Sequence, residues 1–231
     1  MRVLALDTST EACSAALLAD GELRMRFEVT ERSHADLILP MVDALLAEAG
    51  LALRDLDGLA FGRGPGGFTG LRIAAGVVQG LALGAGLRVA PVSSLAAVAE
   101  QVAAGTSDGV LVCNDARMGE IYWGVYRAAA NRGMEALAPE RVSAPDCVTV
   151  EPHLAAHLAG NALQRHPGLR NRLVRAGLRF HDGIYPRADA VARLGALELA
   201  AGRGVAADQA LPVYVRDEVA RPARKGVTGM S

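Results

Sequence analysis

The feature that most constrains this 231-residue chain is the run Gly62-Arg63-Gly64-Pro65-Gly66-Gly67-Phe68-Thr69-Gly70-Leu71-Arg72. An apolar run from Leu56 to Phe61 precedes it, and a long pattern of small helical residues follows. A strand, a glycine-rich turn and a helix start have the general form of a phosphate cradle, because a helix N-terminus presents unpaired N–H groups and the positive end of its dipole. The spacing fits neither common version. No lysine follows the glycines, as GxxxxGK[ST] requires. Gly62, Gly64 and Gly67 satisfy GxGxxG literally. However, the strand before them is not the first, and no acidic residue ends a strand about twenty residues later. The competing reading is mechanical: tight packing of strand on helix needs close backbone approach and left-handed φ angles.

Around this loop the hydrophobic pattern is regular. Strands are expected at 2–6, 13–18 and 23–29, with a polar turn Asp7-Thr8-Ser9-Thr10 and a tight turn at Asp20-Gly21. A helix runs from an N-cap at Ser33 to Ala49 and is stopped by Gly50, with Pro40 inside it. A fourth strand (57–61), the glycine loop, a helix from Thr69 to Gly84, a strand at 89–91 and a helix to about Ala104 complete a βββαβαβα order. That order is similar to one half of the actin-like (ASKHA; Hsp70–sugar kinase) α/β fold. The hairpin 110–114/121–126 starts a second, reduced half. The expected domains are 1–104, carrying the glycine loop and two interface helices, and 105–231.

Both early helices carry more apolar surface than one core contact uses. Between Leu71 and Ala85 only Arg72 and Gln79 are polar, and Gly76, Gly80 and Gly84 form a stripe. Each glycine costs about 1 kcal/mol against alanine in a helix, so a neighbouring backbone must need the room. Packing on the sheet is one explanation. A helix-on-helix contact with a second chain is the other, and it leads to a candidate interface of Leu37, Ile38, Met41, Val42, Leu45, Arg72, Ile73, Gly76, Val77, Gly80, Leu83 and Gly84.

The residues that carry chemistry are sparse. His153 and His157 have i,i+4 spacing but lack the glutamate of HExxH and a third ligand, so they read as surface histidines on a short helix and no metal is expected. Asp7, Thr8, Gly66 and Gly67 are the weak nucleotide candidates; Asp7 to Ser9 could equally form a hydrogen-bonded turn. Cys13 and Cys113 lie in strand patterns and read as core. No Ser-His-Asp or Cys-His set is present. The arginines between Arg165 and Arg179, and Arg216, Arg221, Arg224 and Lys225, form moderate basic clusters: a solvated face, or an RNA contact within a complex.

A net charge of −1 argues against a large nucleic-acid surface acting alone. Three cysteines without CxxC spacing fit a reducing compartment. No leader-like start and no bilayer-length apolar run is read, so a cytoplasmic protein without a membrane partner is expected.

Three segments together resemble one family: LALDTST (4–10), GRGPGGFTGLR (62–72) and DARMGEIYWGVY (115–126), with PVYVRDEVA (212–220) as a C-terminal signature. They look like TsaB, also called YeaZ. The resemblance covers the whole chain. It implies a non-catalytic partner of TsaD, the transferase that makes N6-threonylcarbamoyladenosine beside the anticodon of tRNAs reading codons that start with A. It further implies TsaC as the source of the transferred group, TsaE as a further partner, a homodimer when TsaD is absent, and pairing through the first two helices. tRNA is then met only through the complex, and no cofactor is needed beyond weak ATP or ADP binding. Where TsaD-like proteins carry VNHLEGH, this chain has Val92-Ser93-Ser94-Leu95-Ala96-Ala97-Val98, so Ser94 and Val98 replace the two metal ligands. The alternative is an ASKHA-type nucleotide-dependent phospho- or carbamoyltransferase.

Overall fold

The computed structural model describes residues 1–30, 33–103, 107–130, 133–151 and 153–216. The expected boundary at 104/105, the signature beyond Arg216, and Arg221, Arg224 and Lys225 lie outside them.

The first sheet contains β1 (Val3–Asp7), β2 (Ala12–Ala19), β3 (Glu22–Val29), β4 (Gly58–Gly64) and β5 (Val89–Ser93) in the order β3-β2-β1-β4-β5. β1 to β3 form an antiparallel meander, and β4 and β5 add in parallel. Side chains alternate across the sheet, as a period of two requires. Leu4, Leu6, Leu59 and Phe61 face α1 (His34–Ala49) and α2 (Phe68–Ala85). Val3, Ala5, Ala16, Ala60 and Ala90 face the other way, toward α3 (Ser94–Ala103) and α6 (Ala188–Ala200). The alanines let α6 lie close: a Cβ on Gly195 would stand 2.4 Å from the Ala60 Cβ.

The second sheet repeats the same plan. β6 (Val110–Asp115), β7 (Ile121–Ala129) and β8 (Gly133–Ala136) are antiparallel; β10 (His157–Ala159) and β11 (Arg179–Phe180) add in parallel on the other side of β6. The order β8-β7-β6-β10-β11 matches the first sheet strand for strand, with β9 (Arg141–Ser143) an addition beside β7. This repeated order is the expected actin-like α/β arrangement with a reduced second half. α4 (Ala162–Arg165) and α5 (Pro167–Arg175) cover the outer face through Leu163, Leu169 and Leu173. α3 and α6 lie in one continuous core between the two sheets. Thus α6, late in the sequence, packs on the first sheet, and helix layers cross the 104/105 division.

Four expectations change. β4 runs on to Gly64, so half of the glycine run is strand. Ile38, Val42 and Leu45 face the sheet and are fully buried, so they cannot form the interface assigned to them. His157 is not on a surface helix. It is buried in β10, with its Nδ1 2.9 Å from Nε2 of His181. Finally, α2 is an 18-residue helix of mean hydropathy 1.3, which by length and composition alone reaches a bilayer span. One of its faces is seated on the sheet through Leu71, Ala74, Ala75, Val78 and Ala82. Cys13 and Cys113 are core as expected; burial pushes the Cys13 thiol up to about 12 and raises Cys113 further.

Candidate functional site: a cleft and an open helix face

A cleft of about 430 Å³ lies between the two hairpin turns, Thr8–Glu11 and Asp115–Arg117, and is completed by the N-terminus of α2, His34, Tyr122, Tyr214 and Arg216. Of the four nucleotide candidates, Thr8, Gly66 and Gly67 line it and Asp7 does not. Asp7 is sealed beneath. Its Oδ1 accepts from Ser9 N (2.9 Å) and Ser9 Oγ (2.7 Å), and its Oδ2 from Ser94 Oγ (3.2 Å). Burial raises the carboxyl's pKa, and the hydrogen bonds from Ser9 and Ser94 oppose that rise.

The glycines are explained by this first turn pressing onto the loop. A Cβ on Gly62 would stand 1.8 Å from Asp7 Oδ2; on Gly66, 2.4 Å from Ser9 O; on Gly70, 1.9 Å from Thr8 O. Gly67 N donates to Ser9 O at 2.7 Å, and Thr8 Oγ1 donates to Gly70 O at 2.7 Å. An amide that a phosphate cradle would offer is therefore already used. The room the glycines leave is occupied by protein.

The charges lining the cleft are balanced, Glu11 and Asp115 against Arg117 and Arg216. Glu11 on the first lobe accepts from Asn161 Nδ2 (3.0 Å), and Glu11 and Asp115 are each paired with Arg117 and Arg165 at 3.4–4.0 Å. Two carboxylates of the cleft thus share two guanidiniums. The C-terminal residues close one side: Val213 N bonds Arg63 O (2.7 Å), and Arg216 bonds Ala116 O (3.2 Å) and Glu120. At the start of α2, Phe68 stacks on Tyr214 (5.4 Å) under the Arg72 guanidinium, which lies 3.7 Å from the Phe68 ring centre and donates to Tyr214 Oη. Ser94 and Val98, at the positions of the metal ligands, are both fully buried.

The outward face of α2 is the reverse of the cleft. A Cβ on Gly76, Gly80 or Gly84 would meet nothing within 4 Å. Leu83 is 80 % exposed. Packing among the described residues therefore does not explain the stripe. Ile73 and Val77 are half-buried beside it, as are Leu37 and Met41 on α1. The residue reading missed Glu11, Asn161, Phe68 and Tyr214. Glu11 and Asn161 are 150 positions apart, and nothing in a single sequence pairs them.

A family model described as TsaD, tRNA N6-adenosine threonylcarbamoyltransferase, matches residues 27–168, more than half of the chain. The chain is 40 % identical over 228 residues to the tRNA threonylcarbamoyladenosine biosynthesis protein TsaB of Escherichia coli K12, covering 95 % of this chain and 96 % of that one. The TsaB protein of Haemophilus influenzae is 52 % identical over 124 residues, about half of each chain. Among solved structures, YeaZ from Pseudomonas aeruginosa superposes with a TM-score of 0.80 at 42 % identity, covering 92 % of this chain and 99 % of that one.

Proposed function

The chain belongs to the TsaB family, and from that premise we propose that it is a non-catalytic subunit of tRNA threonylcarbamoyladenosine biosynthesis. It docks the transferase TsaD and is needed for the N6-threonylcarbamoyl modification of adenosine beside the anticodon, with TsaC supplying the activated group and TsaE joining the complex. The setting is cytoplasmic, tRNA is met through the complex, and no cofactor is required.

The observation that carries this reading is the contrast between the two surfaces. The cleft is crossed by the chain's own hydrogen bonds and ion pairs, whereas a Cβ on any glycine of the α2 stripe would meet nothing within 4 Å among the described residues. Glycines on an exposed helix face let a partner helix come close, and an apolar Leu83 at 80 % exposure supplies contact area. The docking set is Arg72, Ile73, Gly76, Val77, Gly80, Leu83 and Gly84, with Leu37 and Met41 at its border. In the absence of TsaD the same face pairs two copies of this chain. The test is reconstitution: TsaC, TsaD and TsaE with tRNA should modify it only when this chain is added. Equal modification without it removes the proposal.

A second reading, a nucleotide-dependent phospho- or carbamoyltransferase, is favoured by the cleft's volume and by the Phe68, Tyr122 and Tyr214 rings. Turnover of ATP by this chain alone, lost on Arg117→Ala, would support it over the first.

A further inference from the structure

A second cavity, of about 350 Å³, shares no lining residue with the cleft. At its polar end four side chains from four separate segments meet: Arg63 at the end of β4, Ser93 at the end of β5, Tyr126 on β7, and Glu140 before β9. Glu140 is deeply placed, with its side chain 11 % exposed. Its Oε1 accepts from Tyr126 Oη at 2.6 Å and from Ser93 Oγ. Ser93 is itself held, because its Oγ accepts from Ala96 N at 3.1 Å. The other oxygen, Oε2, lies 3.6 Å from Arg63 Nη1, an ion pair too long for a hydrogen bond. Among the described residues neither Oε2 nor the Arg63 guanidinium has a side-chain hydrogen bond. A carboxylate with 11 % of its side chain exposed and a guanidinium with 27 % exposed thus stand side by side with hydrogen-bonding capacity to spare.

From this pair we propose that the cavity binds a free α-amino acid with an aliphatic side chain, as its zwitterion. The ligand's ammonium donates to Glu140 Oε2 and its carboxylate accepts from Arg63, so each charge of this loose ion pair gains the direct hydrogen bond that the 3.6 Å separation denies it. A lone anion would meet Glu140 and a lone cation would meet Arg63; a molecule carrying both charges on one carbon meets each with its opposite. Glu198, which also lines the cavity, is neutralised by Arg203 at 2.7 and 2.8 Å and adds no uncompensated charge. The remaining walls are apolar, with Pro91, Met134, Ala136 and Leu194 placed to receive an aliphatic side chain. Tyr126 and Ser93 hold Oε1 and so fix the plane in which Oε2 is offered.

Ligand-observed NMR and calorimetry on the intact protein, with L-leucine as probe, test this. Leucine should saturate with a Kd of about 0.1–10 mM. N-acetyl-leucine, which lacks the ammonium, and isoamylamine, which lacks the carboxylate, should each bind at least about tenfold more weakly. Glu140→Gln and Arg63→Met should each abolish binding. Because Glu140 also joins the lobes through Ser93, Met134→Trp gives an independent check: it fills the apolar wall, leaves the polar end intact, and should block leucine too. No saturation by leucine to about 50 mM, or equal binding of either analogue, overturns the proposal. Neither result bears on tRNA modification, so this site and the docking role stand or fall separately.

Discussion

At the scale of single residues, the contact between Asp7 and the glycine run decides what the first turn can do. A carboxylate at the end of β1 could face a ligand, but here it is under the loop and spent on Ser9 and Ser94. Gly62 exists to clear it: with 1.8 Å between a new Cβ and Asp7 Oδ2, Gly62→Ala should destabilise by about 3 kcal/mol, read by urea unfolding. The pH dependence of Asp7 has a definite sign. Its folded pKa is raised, so between the unfolded and folded values the folded state holds the extra proton. Asp7 therefore makes stability fall as pH rises from about 3.8 through the raised value, and the penalty is complete above it. Asp7→Asn, which keeps an acceptor for Ser9 and gains a donor for Ser94, should be at least as stable as the parent at pH 7 and should lack the slope that begins near pH 3.8. A variant that unfolds at pH 7 would show that the charge itself holds the turn. The motif at 62–72 was legible as a loop built for close approach. What approaches it was not, because Ser9 and Thr8 lie more than fifty positions upstream and a glycine pattern does not say whether a phosphate or a peptide fills the room.

At the scale of elements, α1 and α2 looked alike in sequence and differ in structure. Both carry apolar residues beyond one stripe. On α1 most of the surplus is absorbed: Ile38, Val42 and Leu45 meet the sheet, Leu37, Met41 and Leu46 pack at its border, and Leu39 stays 45 % exposed. On α2 it is not absorbed, since Leu83 and the three glycines remain in the open. Periodicity fixes which residues share a face but not which side of a two-sided helix meets the sheet. A measurable consequence follows from the empty space at each glycine. Replacing Gly76, Gly80 and Gly84 singly by alanine should raise the stability of the isolated chain by about 0.5–1 kcal/mol each, through helix propensity alone. If the stripe were packed internally, the same changes would destabilise. β10 and β11 show the opposite limit: strands of three and two residues have too little alternation to be read, and two histidines four positions apart at 153 and 157 imitate one face of a helix.

At the scale of the whole molecule, the same five-strand order is used twice and the two sheets enclose α3 and α6 in one core. The first sheet was legible because its strands are long and its turns are punctuated by Asp7–Thr10 and Asp20-Gly21. That α6 returns to the first sheet was not, since its alanine-rich pattern suits any close neighbour. Hydrogen bonds and ion pairs tie the lobes further: Ser14 Oγ to Ala188 N, Glu11 to Asn161, and Glu140 to Ser93. Heat unfolding should accordingly be a single cooperative transition with equal calorimetric and van't Hoff enthalpies, and two separated transitions would mean that the lobes fold apart.

The central claim is that this molecule works through the outer face of α2 rather than through its cleft. The direct measurement is the mass in solution of an equimolar mixture with TsaD, by light scattering after size exclusion, for the parent chain and for Gly80→Leu. The parent should form a stable heterodimer, and Gly80→Leu should leave two separate species although that variant keeps the parent's melting temperature within a few degrees. A heterodimer that survives Gly80→Leu undiminished would contradict it.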